Sequence, residues 1–163
     1  MSADFADLYD EHVWDVYGYL AYRVADRAEA EDLTQLTFER ALRAWRTYDP
    51  RRASPRTWLM AIARNLAIDH FRRVRPEPVG DGLDEVATPE PDPDLGLSPE
   101  LAAAVAALGP REREVLALRF GGDLTGPEIA QALELSLANV QQIVSRALGK
   151  LRAGLQRSAI APS

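Results

Sequence analysis

The chain has 163 residues, with 19 Lys and Arg against 25 Asp and Glu, two His and no Cys. That length allows one domain or two small ones, and the lack of cysteine excludes a disulfide frame, thiolate chemistry and Cys-ligated metal. The longest apolar run, Leu101–Leu108, is far short of the about 20 residues that span a bilayer, and the acidic N-terminus has no apolar stretch for a signal peptide.

A hydrophobic content of 47% is enough for a core, and no membrane insertion and a cytoplasmic location are expected. The net charge of −6 averages three unlike segments. Residues 1–75 carry 12 basic and 12 acidic side chains, residues 76–100 carry eight acids and no base, and residues 101–163 carry seven bases and five acids. Eleven of the 12 aromatic residues precede position 72. Such asymmetry predicts two small helical domains, 1–75 and 99–163, joined by an acidic, Pro-rich linker over 76–98.

In chain order, Phe5, Leu8, Tyr9, Val13, Val16, Tyr17, Leu20 and Val24 recur at three- and four-residue steps and predict a first helix. Ala30, Leu33, Thr37, Ala41, Ala44, Trp45 and Tyr48 predict a second, closed by Asp49-Pro50. Ser54-Pro55 has the form of an N-cap with proline at the first helical position. The helix it opens is expected to carry Trp58, Ile62, Leu66 and His70 on one side and to end in Arg72, Arg73 and Arg75. The segment 76–100 then holds six prolines and three glycines, which block helix and interior strand alike. Its acids repel one another, and its 23 linker residues could stretch to about 75 Å or coil over roughly 25–30 Å.

Beyond it, Ser98-Pro99 caps a short helix over Leu101 to Leu108, stopped by Gly109-Pro110. A further helix runs from Arg111 to Phe120, ahead of Gly121-Gly122. Thr125-Gly-Pro-Glu128 reads as a capping box opening a helix with Ile129, Ala130 and Leu133 inward. Ser136 can cap a last helix with Val140, Val144, Ala147, Leu151 and Leu155 on its inner face. Short helix, tight turn and second helix have the spacing of a helix-turn-helix. No segment alternates with period two, so the fold class is all-α.

No hydrolase elbow, phosphate-binding loop, zinc helix or dinucleotide fingerprint occurs in the chain. The two histidines, His12 and His70, lie 58 residues apart on different helices, and His70 reads as a partly buried structural residue. No enzyme, cofactor or metal is expected. Nucleic acid fits better. The third helix carries Arg56, Arg64, Arg72 and Arg73 with Trp58 and Phe71 between them, and Arg51-Arg52 precedes it. Arginines can hold phosphates while aromatic faces stack unpaired bases, although Trp58 and Phe71 taken singly fit a core equally well.

Three stretches also resemble a known family. Ala30-Glu-Asp-Leu-Thr-Gln-Leu-Thr-Phe-Glu-Arg-Ala-Leu42 resembles the core-polymerase-binding stretch of bacterial sigma factors. Trp58-Leu-Met-Ala-Ile-Ala-Arg-Asn-Leu-Ala-Ile-Asp-His-Phe-Arg-Arg73 resembles their promoter-melting and −10-reading helix. Leu108-Gly-Pro-Arg-Glu-Arg-Glu-Val-Leu-Ala-Leu-Arg119 and the helix-turn-helix after it resemble their −35-reading domain. Family order without an intervening domain is the layout of the extracytoplasmic-function class.

The resemblance implies a promoter-specificity subunit that acts on core RNA polymerase, binds duplex −35 and melted −10 DNA, and is held inactive by an anti-sigma protein. Asp32, Leu33, Gln35, Leu36, Phe38, Glu39 and Arg40 would dock on the polymerase, with Leu36 and Phe38 as anchors within a polar rim. Tyr48, Arg51, Arg52, Arg56, Trp58, Arg64, Asn65, Asp69, Arg72 and Arg73 would serve the −10 element, where a pocket for a flipped base offsets part of the unpairing cost. Thr125, Ser136, Asn139, Gln141, Gln142, Ser145, Arg146 and Lys150 would serve the −35 element.

Gln141, Gln142 and Ile143 stand where the family places cations. Glutamine can pair with adenine, while fewer phosphate contacts flatten the salt dependence. A stand-alone helix-turn-helix regulator, or a decoy that sequesters polymerase, would use parts of the same chain. The regulator, however, needs neither the arginine-bearing third helix nor the clamp-like second one. In the family the linker follows the RNA-exit path, so the eight acids of residues 76–100 would stand in for RNA there. Replacing them with Ser or Gln should change abortive-product yield and promoter escape, and unchanged product patterns in a transcription assay would count against that role.

Overall fold

Most helix starts among the described residues are fixed by a side chain that satisfies an otherwise unpaired backbone N–H. In the computed structural model, which describes residues 5–24, 26–74 and 98–160, α1 spans Phe5–Val24 and α2 spans Arg27–Arg43. Asp26 caps α2 by accepting the Glu29 N–H at 3.0 Å. A 3₁₀ turn, Trp45–Thr47, leads to α3, Pro55–Val74, whose cap is Ser54 accepting the Thr57 N–H at 3.2 Å. The remaining helices are α4, Pro99–Ala106, α5, Pro110–Leu116, α6, Gly126–Leu133, and α7, Leu137–Ile160. The last turn of α5 widens into a π-helical turn, Ala117–Gly121. No strand occurs among the described residues, and the fold is all-α. The expected linker lies outside the described residues except for Ser98, the cap of α4.

Helices α1, α2 and α3 pack mutually around Val16, Leu20, Ala30, Ala41, Leu59 and Ala63. The inner stripe of α3 differs from the expected one. Leu59, Met60, Ala63, Leu66 and Ala67 are buried, whereas Trp58, Ile62 and His70 are half-buried. The reason is that α3 is covered on two sides, by α1 and α2 and by α6. In the second set of helices, α4, α5 and α6 pack on α7, around Val115, Ile129, Val140 and Ala147. Leu155, expected to face inward, is 38% exposed near the helix end.

The two sets share one core, because the π turn packs along α1. At their seam the chain brings backbone against backbone. A Cβ on Gly18 would lie 2.5 Å from the Gly121 carbonyl oxygen, and one on Gly121 would lie 2.7 Å from the Gly18 oxygen. Only glycine permits that approach. Beside it the buried Glu114 accepts the Tyr19 hydroxyl at 2.8 Å. Arg23 Nε lies 2.7 Å from Glu114 Oε2 and Arg64 Nε 3.2 Å from Oε1. Neither N–H points squarely at its oxygen, so these are ion pairs rather than hydrogen bonds. Burial, reinforced by the Glu114 charge, pushes the Tyr19 hydroxyl well above its ordinary range, which keeps it a donor.

A second carboxylate crosses the seam at Glu128. Its Oε1 accepts the Thr125 N–H at 3.0 Å, and Glu128 N–H in turn reaches Thr125 Oγ1 at 3.3 Å, completing the expected capping box. Its Oε2 accepts the hydroxyls of Ser54 at 2.9 Å and Thr57 at 3.0 Å. One glutamate thereby sits at the N-termini of both α6 and α3, where helix dipoles favour a negative charge. Nearby, Gln131 donates to the Arg52 carbonyl at 2.9 Å, and Arg56 lies between Asp15 at 3.2 Å and Asp123 at 3.9 Å.

Two stability predictions follow from burial and charge. Leu59→Ala, at a fully buried site, should cost about 2–5 kcal/mol in urea denaturation, while Trp14→Ala on the surface should stay within about 0.5 kcal/mol. Burial opposes the Glu128 charge, but hydrogen bonds from Thr125, Ser54 and Thr57 outweigh it and hold the carboxyl below its ordinary value. A depressed carboxylate stabilises the fold above its unfolded pKa and loses that effect as pH falls through the folded one. The stability difference between the native chain and Glu128→Gln should therefore be largest near neutrality and shrink in acid, measured as urea midpoints at pH 7 and pH 4.

Candidate polymerase and nucleic-acid interfaces

The exposed edge of α2 is polar because its apolar positions are consumed by packing. Asp32, Gln35, Glu39 and Arg40 are exposed and Leu36 is half-buried. Leu33 and Phe38, expected on the same surface, are turned inward at 8% and 5% exposure. Phe38 packs edge-on against Phe5 and Tyr9, with ring centroids at 6.4 and 4.8 Å. Core packing thus turns Phe38 away from that edge and leaves Leu36 as the apolar residue of the expected set there.

The loop between α2 and α3 is braced by aromatic rings. Trp45 stacks on Tyr48 at 5.6 Å with 13° between planes, and Trp58 leans on both, at 5.9 and 4.8 Å. The Tyr48 hydroxyl donates to the Ala53 carbonyl at 2.9 Å. Burial and then the Asp49 charge raise its pKa, so it keeps that proton. The ring of Trp58, expected as a stacking face for an unpaired base, is therefore engaged with Trp45 and Tyr48. Asp49 closes the turn by accepting the Arg51 N–H at 3.0 Å, an Asx turn that leaves the Arg51 and Arg52 side chains 90% and 88% exposed.

Along α3 the arginines divide by face. Arg56, Met60 and Arg64 follow at four-residue steps on the side toward α5 and the π turn, with both arginines held by carboxylates. Asn65, Asp69 and Arg72 follow at steps of four and three on the opposite side, and Arg73 lies next to them. Asn65, Arg72 and Arg73 are exposed and Asp69 is half-buried. His70 is held near Glu29, with Nδ1 at 3.6 Å from a carboxylate oxygen. The sequence-predicted −10 set is accordingly split, with Arg51, Arg52, Asn65, Arg72 and Arg73 presented to solvent and Arg56 and Arg64 tied to the seam.

The helix-turn-helix is built as its capping residues dictate. Thr125 caps α6, Glu134 ends it in a left-handed conformation at φ 56°, and Ser136 caps α7 by accepting the Asn139 N–H at 3.1 Å. Val140 and Ala147 point inward, which turns Asn139, Gln141, Gln142, Ser145 and Arg146 to solvent. Lys150 is half engaged, its Nζ 2.8 Å from Glu112. Lys150 and the Gly109 N–H overcome the burial of Glu112 and lower its pKa. The hydroxyl oxygens of Thr125 and Ser136 thus accept N–H groups at the starts of their helices.

Sequence reasoning missed Gly18, Gly121, Glu114 and Glu128 as a group. One signal was present: a glycine in mid-helix costs about 0.5–1 kcal/mol against alanine, and Gly18 lies in the middle of α1.

The chain matches the model of Sigma-70 region 2 over residues 8–77 and that of Sigma-70 region 4 over residues 104–153. It is 39% identical to the ECF RNA polymerase sigma factor BldN of Streptomyces coelicolor, over 90% of this chain and 58% of that protein. It is 33% identical to the ECF sigma factor SigX of Bacillus subtilis, over 93% of this chain and 84% of that one. Among solved structures, the sigma factor RpoE in complex with the anti-sigma factor NepR from Bartonella quintana aligns with a TM-score of 0.73 at 21% identity. That alignment covers 94% of this chain and 97% of that one. CnrH in complex with the cytosolic domain of CnrY gives a TM-score of 0.67 at 26% identity, over 96% and 89%. With both regions matched in order and the fold shared across them, the chain belongs to the extracytoplasmic-function class of RNA polymerase sigma factors.

Proposed function

We propose that this sigma factor divides its work between residues 1–75, which bind core RNA polymerase and the melted −10 element, and residues 99–163, which read duplex −35 DNA. The observation that carries this division is the pairing of a solvent-facing stripe, Asn65, Arg72 and Arg73, on α3 with a solvent-facing α7 in a capped helix-turn-helix. On the polymerase side, Asp32, Gln35, Leu36, Glu39 and Arg40 form the docking edge. On the −10 side, Arg51, Arg52, Arg72 and Arg73 hold phosphates and Asn65 reads the separated strand. At −35, Gln141 and Gln142 read base edges while Arg146 and Lys150 hold the backbone.

The chain adds no catalytic group, since nucleotide addition belongs to the polymerase. No helix among the described residues is long and apolar enough to cross a membrane, which supports a cytoplasmic site of action. One structural neighbour is a sigma factor in complex with an anti-sigma factor, and an anti-sigma protein is the inhibitory partner proposed for this chain as well.

The test is run-off transcription by bacterial core polymerase on a pool of randomised promoters, with and without the chain. Shared −10 and −35 sequences among the selected transcripts are expected, and binding without initiation would favour a decoy. Two variants refine the assignment. Arg72→Ala with Arg73→Ala should weaken initiation on all selected promoters and lower the slope of log affinity against log salt by about 1 for each lost phosphate contact. Gln141→Ala should relax base preference at a −35 position instead, removing roughly 1–3 kcal/mol of discrimination in competition binding.

A further inference from the structure

We propose that Arg23, Arg64 and Arg113 form a binding site for a dianionic phosphate group, carried by inorganic phosphate or by a small phosphate ester. Such a site belongs to the free chain and does not depend on the promoter roles proposed above. It lies where the end of α1, the middle of α3 and α5 meet around the buried carboxylate of Glu114.

The geometry leaves this cluster short of negative charge. Both oxygens of Glu114 are already engaged. Oε1 accepts the Tyr19 hydroxyl at 2.8 Å and lies 3.2 Å from Arg64 Nε, while Oε2 lies 2.7 Å from Arg23 Nε. Tyr19 brings a proton and no charge, because its hydroxyl stays protonated. Arg113 precedes Glu114 in the sequence, but successive residues of a helix diverge by about 100° and do not face each other. No carboxylate among the described residues pairs with Arg113. Its guanidinium is instead close enough to Arg23 for the two charges to repel, which together with burial holds its pKa below the ordinary value. Three guanidinium charges thus meet one carboxylate.

Hydrogen-bond donors are unmet as well. The Nε atoms of Arg23, Arg64 and Arg113 are all buried, and each lacks a hydrogen-bond partner among the described residues. A buried donor without an acceptor is costly, and more so when it is charged. Arg23 is also fixed in place by the Phe71 ring, whose centroid lies 5.3 Å from its guanidinium carbon. The cluster is still open to a small ligand, since the Arg64 side chain is 24% exposed and Arg113 is half-buried. A phosphate monoester supplies what is missing: about −1.5 to −2 charge near neutrality, and acceptor oxygens that match the planar N–H forks of arginine. A backbone phosphodiester of DNA carries a single charge and fits the imbalance less well.

Equilibrium dialysis of the full chain against radiolabelled inorganic phosphate, with ionic strength held constant by chloride, tests the site. Saturable binding of one phosphate per chain is expected. Competition by a nucleoside 5′-monophosphate tells the sources apart: an ester that displaces the label at lower concentration than unlabelled phosphate is the preferred ligand, and otherwise the free ion is. Arg113→Met keeps the apolar stem and should weaken binding about tenfold or more at unchanged helical content. Phosphate should also raise the melting temperature of the native chain more than that of the variant, since general salt effects act on both alike. A native chain without a saturable site would overturn the proposal whatever the variant does. Equal affinity in Arg113→Met would overturn it too. So would displacement of the label by a single-stranded oligonucleotide lacking terminal phosphates, which would assign these arginines to nucleic acid.

Discussion

The approach of the Gly18 and Gly121 backbones sets the arrangement of the rest of the molecule. With a side chain at either position, α1 and the π turn would stand apart, since the added Cβ would fall within 3 Å of backbone atoms on the other side. That separation would pull Tyr19, Arg23 and Arg64 away from Glu114, and Ser54 and Thr57 away from Glu128. The π turn matters for the same reason. By widening the end of α5 it brings Gly121 against α1 while Gly122 packs beneath Met60 and Leu118.

This constraint sorts the arginines of α3 into two populations on geometry alone. Those at four-residue steps from Arg56 face carboxylates across the seam, and those near Arg72 face water. The same helix thus closes on the second set of helices through one face and leaves the opposite face, proposed above for nucleic-acid contact, to solvent. Its third, apolar face holds the bundle together. The −35 side shows a comparable division. Val140 and Ala147 lock α7 to its neighbours, and the polar residues between them, proposed above for readout, face solvent.

Much of the fold was legible in the sequence. Ser54-Pro55, Ser98-Pro99, Thr125 to Glu128 and Ser136 all start helices where the capping rules put them, because capping is a local interaction between residues two or three apart. The order and all-α character of the elements came from the same local signals. The inner face of α3 was not legible, because a helix covered on two sides breaks the single-stripe pattern that periodicity detects. Leu33 and Phe38 were assigned outward for a related reason. Family resemblance names a stretch, whereas rotation about the helix axis decides which of its residues reach the surface. Apart from the mid-helix Gly18, the seam was illegible, since its partners lie 50 to 103 residues apart and no local rule pairs them.

If the Gly18–Gly121 approach sets the arrangement, a bulkier residue at either position must part the two sets of helices. Dyes attached at Glu11→Cys on α1 and Arg157→Cys on α7 would report the separation by energy transfer, as both side chains are exposed. High transfer in the native chain, falling in Gly121→Val, is the result this account predicts. A Gly121→Val chain that kept the transfer efficiency of the native one would contradict it.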